Sequence, residues 1–263
     1  MQRQCWHNHR MNRLRTAARV SKGPAQTPCA RRNARGAGRL AAALLLLAAL
    51  GSALAGAAGL SAEEALAVPY RFGDVQRWAP IFENPQRDRY QMPERVIASL
   101  GLAPGAVVAD VGAATGYFAR RFARVLGHAG HVFAVDIEPA LLTYLDARAR
   151  SEGIRNLQTV TATPTDSHLP AACCDLIFLC NTYHMIGPRV DYLSHLQDKL
   201  KPGGRIAIID WRKQPLPRGP KPEWKLTAAQ VAQEAARAGL CSVDRPDFLP
   251  YQYFFILRPC LAG

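Results

Sequence analysis

Two carboxylates and two glycines in the middle of the chain have the types and spacing to hold a ribose-bearing ligand. Val107 to Phe122 reads VVADVGAATGYFARRF: a hydrophobic run ends in Asp110, small residues follow, and a helical pattern begins. Gly112 and Gly116 carry no Cβ, so backbone can come close to a ligand there. A second run, HVFAVD, ends in Asp136, 24 residues after Gly112. A carboxylate at that place accepts hydrogen bonds from two ribose hydroxyls. The dinucleotide fingerprint G-x-G-x-x-G, begun at Gly112, needs glycines at 114 and 117. The chain has Ala114 and Tyr117 instead. Asp110 would repel a pyrophosphate and suits a cationic group such as an amino-acid ammonium.

A second set of reactive types follows the run DLIFLC (175–180): Asn181, Tyr183 and His184. His184 is the natural general base, since an unperturbed imidazole titrates near pH 6.5. Its alternative is a hydrogen-bonded structural histidine. Asn181 has a carbonyl to offer an amino group or an acceptor. Tyr183 is a catalyst or a packing wall. No CxxC and no His/Cys cluster has zinc spacing, so no metal is expected.

The elements that position these residues alternate in period. Strands are expected at 107–111, 131–136, 157–162, 175–180 and 205–210. Helices are expected at Tyr117–Leu126, at Pro139–Glu152 with Pro near its start, and at Arg189–Leu200, stopped by KPGG. A further helix, Thr227–Ala238, has Thr227 as N-cap and Gly239 past its end. Strand–helix alternation gives a parallel sheet with helices on both faces. Two last strands, near Cys241–Asp247 and Tyr251–Leu257, are separated by only about three residues. That is too short for a parallel crossover, so the last strand turns back antiparallel. The Pro-rich QPLPRGPKP (214–222) is a loop with the makings of a flap.

With these motifs in order, residues 90–260 resemble the class I S-adenosylmethionine (SAM)-dependent methyltransferases. DVGAATG (110–116) is similar to their glycine-rich first motif, and VFAVDIEP carries the acidic ribose ligand Asp136, with Ile137 beside it. LPAACCDLIFLCNTYHMI and LKPGGRIAIID look like the fourth- and fifth-strand motifs. The resemblance implies a Rossmann-like, seven-stranded, mostly parallel α/β sheet with an antiparallel last strand. It also implies SAM as cofactor and in-line methyl transfer to a small-molecule acceptor. Asp110 would lie near the amino-acid end of the cofactor, with Gly112, Ala114 and Gly116 in the turn. Thr163 and Asp166 would lie on the adenine side, and Asn181 at the transferred methyl. The substrate rim would draw on Arg87, Tyr90 and Gln91 in a lid (61–92), on Asp210 and Trp211, and on Tyr251 and Tyr253. The flanking segments FENPQRDRYQMPERVIASLGLAPG and DFLPYQYFFIL look like a bacterial subgroup of exported or membrane-associated members. The family has Gly where this chain has Ala114, which is tolerable if φ there is negative. Ala114 and export motivate the rival reading: an exported, non-catalytic ligand-binding protein on a methyltransferase-like fold.

Charge narrows the substrate. The net charge is +13, but residues 1–62 carry ten Lys/Arg and no acid, leaving 23 basic against 20 acidic residues. A net of +3 on the remainder supplies no basic face, so nucleic acid is not the expected partner. After the basic leader (1–39), residues 40–60 have no charge. They fit a signal-peptide apolar region or a membrane anchor, with residues 93–263 as the methyltransferase domain. A periplasmic or membrane-anchored place is expected. The alternatives are a cytoplasmic chain with a misassigned start, or a mitochondrial presequence. A hairpin centred near residue 250 sets Cys241 opposite Cys260, and in an exported chain these thiols could pair, although Pro259 disturbs that strand and leaves the pairing open.

Overall fold

The computed structural model describes residues 71–260. The basic leader and the apolar segment 40–60 lie outside the described residues. Among the described residues no helix is long and apolar enough to cross a membrane.

Seven strands form one sheet: β1 Val107–Val111, β2 His131–Asp136, β3 Leu157–Thr161, β4 Cys174–Cys180, β5 Leu200–Trp211, β6 Leu240–Asp244 and β7 Gln252–Pro259. Their order is β3-β2-β1-β4-β5-β7-β6. β1 through β5 run parallel, and β7 lies antiparallel to both β5 and β6. The expected Rossmann-like α/β sheet with a reversed last strand is therefore present. Strand order reverses between β1 and β4, which is where open parallel sheets leave a crevice.

Strand side chains alternate between two cores. Leu176 and Phe178 of β4, with Ala207 and Ile209 of β5, face a core with Phe122, Leu142 and Leu145. Ile177, Leu179, Ile206 and Ile208 face the opposite core, with Leu193, Leu196 and Val231. Burial on both faces explains why these strands read as unbroken hydrophobic runs. The first core is covered by α3 Pro93–Ser99, α4 Ala119–Leu126 and α5 Pro139–Ser151, and the second by α6 Arg189–Gln197 and α7 Ala228–Arg237. Thr227 caps α7 with a capping box to Gln230, and Gly239 follows with φ 79°. Both α7 end signals were legible.

Three details depart from the expectation. KPGG does not merely stop a helix, because β5 already begins at Leu200 and runs through it. The register slips there, from Cys174 opposite Leu200 to Leu176 opposite Arg205. Gly203, at φ 78°, and Gly204, where a Cβ would meet two backbone oxygens at 2.9 Å, permit that bulge. The last connection spans residues 245–251 rather than about three, because Pro246 and Pro250 cannot donate to the ladder. The hairpin register is also two residues off: Cys241 faces Arg258, not Cys260. The disulfide Cys241–Cys260 nevertheless forms, with the Cα atoms 5.1 Å apart.

Before β1 lie α1 Val75–Phe82 and α2 Arg87–Gln91. Asp74 caps α1 by accepting from the Arg77 amide at 3.2 Å. The Phe72 amide donates to Glu138 at 3.3 Å, tying this segment to the loop after β2. Met92, at φ 43°, turns the chain from α2 into α3.

Candidate functional site

A cavity of about 890 Å³ opens at the carboxyl ends of β1, β2 and β4. This is the upper part of the range for small-molecule sites. One end is made by the first two strand–loop junctions. Asp110, Gly112, Ala114, Asp136, Ile137 and Thr163 all line it.

Asp110 is 3% exposed. Burial pushes its carboxyl up to about 7, while the Ala119 amide and the Arg87 guanidinium pull the other way. A buried carboxylate of this kind gains from a cation in the cavity. Asp136 is also raised by burial, and the amides of Glu138 and Ala114 offset this. Its Oδ1 accepts from the Glu138 amide at 3.0 Å and its Oδ2 from the Ala114 amide at 2.8 Å. Those bonds fix the carboxylate at the cavity wall and leave each oxygen a further lone pair for a hydroxyl.

The turn is shaped by protein contacts as much as by ligand space. Gly112 has φ 79°, and a Cβ there would lie 2.2 Å from Thr182 Oγ1. Gly116 does not line the cavity; a Cβ there would lie 2.1 Å from Leu145 Cδ1. Its missing side chain makes room for α5 rather than for a ligand. Ala114 has φ 47°. The tolerant case, a negative φ, is thus not the one adopted. Ala114 keeps the left-handed backbone that a glycine would take, with its methyl as an added strain.

The other end of the cavity is assembled from distant segments. His184 lines it and is buried. Its Nδ1 lies 2.8 Å and 3.0 Å from the two oxygens of Asp210, and its own amide donates to Asp210 Oδ2 at 2.9 Å. The Trp211 amide donates to Asp210 Oδ1 at 2.8 Å. Trp211, Tyr90 and Arg87 also line the cavity. Tyr90 packs between Trp211 and Tyr251, at 5.9 Å and 5.8 Å between ring centroids. Arg87 lies 3.8 Å from the centre of the Tyr117 ring. The roof comes from Trp78 and Phe82 of α1 and from Pro217–Pro220 of the Pro-rich flap.

Several expected site residues stand elsewhere. Asp166 does not line the cavity; it accepts from the His168 amide at 2.7 Å and pairs with His195 at 3.2 Å. Tyr183 is fully buried on the α6–α7 face and donates to Glu234 at 2.8 Å, so it is a packing wall. Tyr253 faces the same core, because alternate residues of β7 point to opposite sides. Asp210 and Tyr251 support lining residues without lining the cavity themselves. Gln91 lies behind the wall in a triad of amides. Asn181 Nδ2 donates to Gln91 Oε1 at 3.1 Å, and Gln252 Nε2 donates to Gln91 Oε1 at 3.1 Å and to Asn181 Oδ1 at 2.8 Å. Asn181 lines the cavity, but its carbonyl is already engaged by Gln252. The residues of α1 were not singled out from sequence, although the aromatic spacing of Trp78 and Phe82 on one helical face was a readable signal.

Residues 108–204 match the family model described as a methyltransferase domain. A crystal structure of a SAM-dependent methyltransferase from Aquifex aeolicus superposes with TM-score 0.67 at 25% identity, covering 71% of this chain and 99% of that one. Residues 108–204 are thus a methyltransferase domain by similarity, within a fold shared with a SAM-dependent methyltransferase. A putative type 11 methyltransferase from Sulfolobus solfataricus shares the fold, with TM-score 0.53 at 20% identity over 65% of this chain and 93% of that one. The ubiquinone/menaquinone biosynthesis C-methyltransferase UbiE of Vibrio vulnificus (strain YJ016) is 30% identical over 114 residues, 43% of this chain and 44% of that protein. The UbiE of Ectopseudomonas mendocina (strain ymp) is 29% identical with the same coverage. The chain thus spans less than half the length of these curated relatives.

Proposed function

We propose that the chain transfers a methyl group from SAM to a small-molecule acceptor bound beside it in the same cavity. The observation that carries this reading is the buried Asp110, facing the cavity beside Asp136. One carboxylate needs a cation, and the other offers oxygens to a ribose. SAM supplies both groups, and its sulfonium supplies an electrophilic methyl. Asp110 attracts the ammonium, Asp136 takes the ribose hydroxyls, and Ile137 and Thr163 flank the base. The lid of α1 and the 217–220 flap exclude water, so positioning and electrostatics supply most of the rate.

Calorimetric titration of the full chain with SAM tests this, with NADH as control. Micromolar binding is expected. Asp136→Ala should weaken it about 100-fold, from the loss of charge-assisted hydrogen bonds worth about 3 kcal/mol. Folded protein that ignores SAM, or an Asp136→Ala variant that binds as well as wild type, sinks the reading. The rival reading, a binding protein without turnover, is favoured by one observation: the strained Ala114 in the cofactor turn. SAM binding without any methyl transfer would support it.

We also infer that the domain works in an oxidising compartment, reached through the leader. The Cys241–Cys260 disulfide supports this, because such bonds persist outside the reducing cytosol. Alkylation of the native protein before reduction should label neither cysteine. Labelling of both ends the inference.

A further inference from the structure

His184 and Asp210 form a unit whose chemistry narrows the acceptor. The Asp210 carboxylate accepts the His184 Nδ1 proton, the His184 amide and the Trp211 amide. With Nδ1–H committed to Asp210, the tautomer is set and the lone pair stands on Nε2. Nε2 has no hydrogen-bond partner among the described residues, and the ring lines the cavity. The unit is therefore a proton acceptor in the cavity wall.

The neighbouring ionisable groups are not competing bases. Burial pushes both the Cys180 thiol and the Tyr90 hydroxyl up, which keeps them protonated. Arg87 is a cation, and Asp110 stands at the cofactor end. Tyr90 also shows how this wall treats a phenol: burial opposes ionisation, while Arg87 and Arg218 favour the anion. A phenol entering here keeps its proton until a base takes it, and two guanidinium groups then favour the product.

We propose that the acceptor is a phenol, and that His184, positioned by Asp210, removes its hydroxyl proton. This rests on the methyltransferase reading above and names the substrate class for that site. Other acceptors fit less well. A carboxylate has no proton to lose, and an alkyl thiol has no planar ring to lie on the aromatic wall. An alkylammonium is repelled by Arg87 and Arg218. An aliphatic hydroxyl is too weak an acid for imidazole, whereas a phenol, near pKa 10, lies within reach. The aromatic wall of Tyr90, Trp211 and Trp78 suits a planar ring. In the step itself the O–H proton passes to Nε2, leaving a phenolate and an imidazolium. The methyl then joins the phenolate oxygen as its bond to sulfur breaks, with the electron pair staying on sulfur. The imidazolium afterwards returns its proton to solvent.

The test uses 4-nitrophenol with the full chain saturated by S-adenosylhomocysteine, which occupies the Asp110 end and excludes chemistry. At a pH where the free phenol is mostly neutral, the bound phenol should show the nitrophenolate absorption band. His184→Gln should bind it chiefly as the neutral phenol, with the band reduced at least tenfold. Asp210→Asn should reduce the band at least threefold. A merely structural role for either residue would change occupancy but not the ionised fraction of what is bound. The proposal is overturned if wild type binds no 4-nitrophenol, binds it neutral, or if the anion persists in His184→Gln. SAM titration of each protein separates the two failures. Retained SAM binding leaves the cofactor reading standing, and loss of it in wild type brings down both.

Discussion

Asp110 and Asp210 are both buried carboxylates, at the carboxyl ends of strands two places apart in the sheet, and they live in opposite circumstances. Asp110 is 3% exposed and pushed up to about 7 by burial. Asp210 is 1% exposed, but three N–H donors from its own protein satisfy it. One end of the cavity is left electrostatically incomplete, and the other is complete before any ligand arrives. An incomplete charge stores a preference for a cationic ligand. A completed one stores an orientation, here that of the His184 ring. On the proposed function, the Asp110 end binds and the His184–Asp210 end positions.

The largest expected effect follows from this contrast. A group raised in the folded state gives stability that is fully present below its unfolded pKa and lost as pH rises through the folded value. For Asp110 that window runs from the ordinary carboxylate range up to about pH 7. Asp110→Asn should therefore stabilise the ligand-free protein by about 2–4 kcal/mol above pH 7 and by little near pH 4. The same variant should lose most SAM affinity. Thermal melts across pH, with and without SAM, measure both. No stabilisation at pH 8 would mean that Asp110 is not strained in the free protein, and the contrast would collapse.

Asp210→Asn should act with the opposite sign. It replaces one of the accepting oxygens with an amide donor and leaves a buried N–H facing it. A loss of about 1–3 kcal/mol is expected, with SAM affinity nearly unchanged. Urea unfolding at pH 7 reads it. A neutral or stabilising result would make Asp210 another incomplete charge, and the two ends would not differ in kind.

The same contrast explains what was legible in the sequence. The Asp110 end is local: Asp110 through Gly116 is one turn, and Asp136 ends the next strand, so spacing alone brings these residues together. The sheet was legible too, because strands buried on both faces are written as unbroken apolar runs. The His184 end is not local. His184 and Asp210 are 26 residues apart, and the Asn181–Gln91–Gln252 triad joins three segments that only the folded sheet brings together. Tyr183 reads as a catalyst or a packing wall and Tyr253 as a rim residue, both from their place at strand ends. Strand alternation and the start of a turn sent both into the core. Asp166 was near in sequence, but a tight Thr163–Asp166 turn aimed it outward.

Ala114 carries the smallest prediction and bears on both ends. At φ 47° it pays for a glycine's conformation without being glycine. Ala114→Gly relieves that strain but adds flexibility to the unfolded chain, so the net gain should be about 0.5–1 kcal/mol, or roughly 1–4 °C in Tm. Its effect on SAM is the sharper reading. If the methyl merely strains the turn, SAM affinity should change less than threefold, since the Ala114 amide is already fixed on Asp136. If the methyl crowds the cavity, affinity should rise tenfold or more. If SAM binds only after this substitution, the Asp110 end of the wild type has been closed by one methyl group, with the His184–Asp210 end left intact to hold a different ligand.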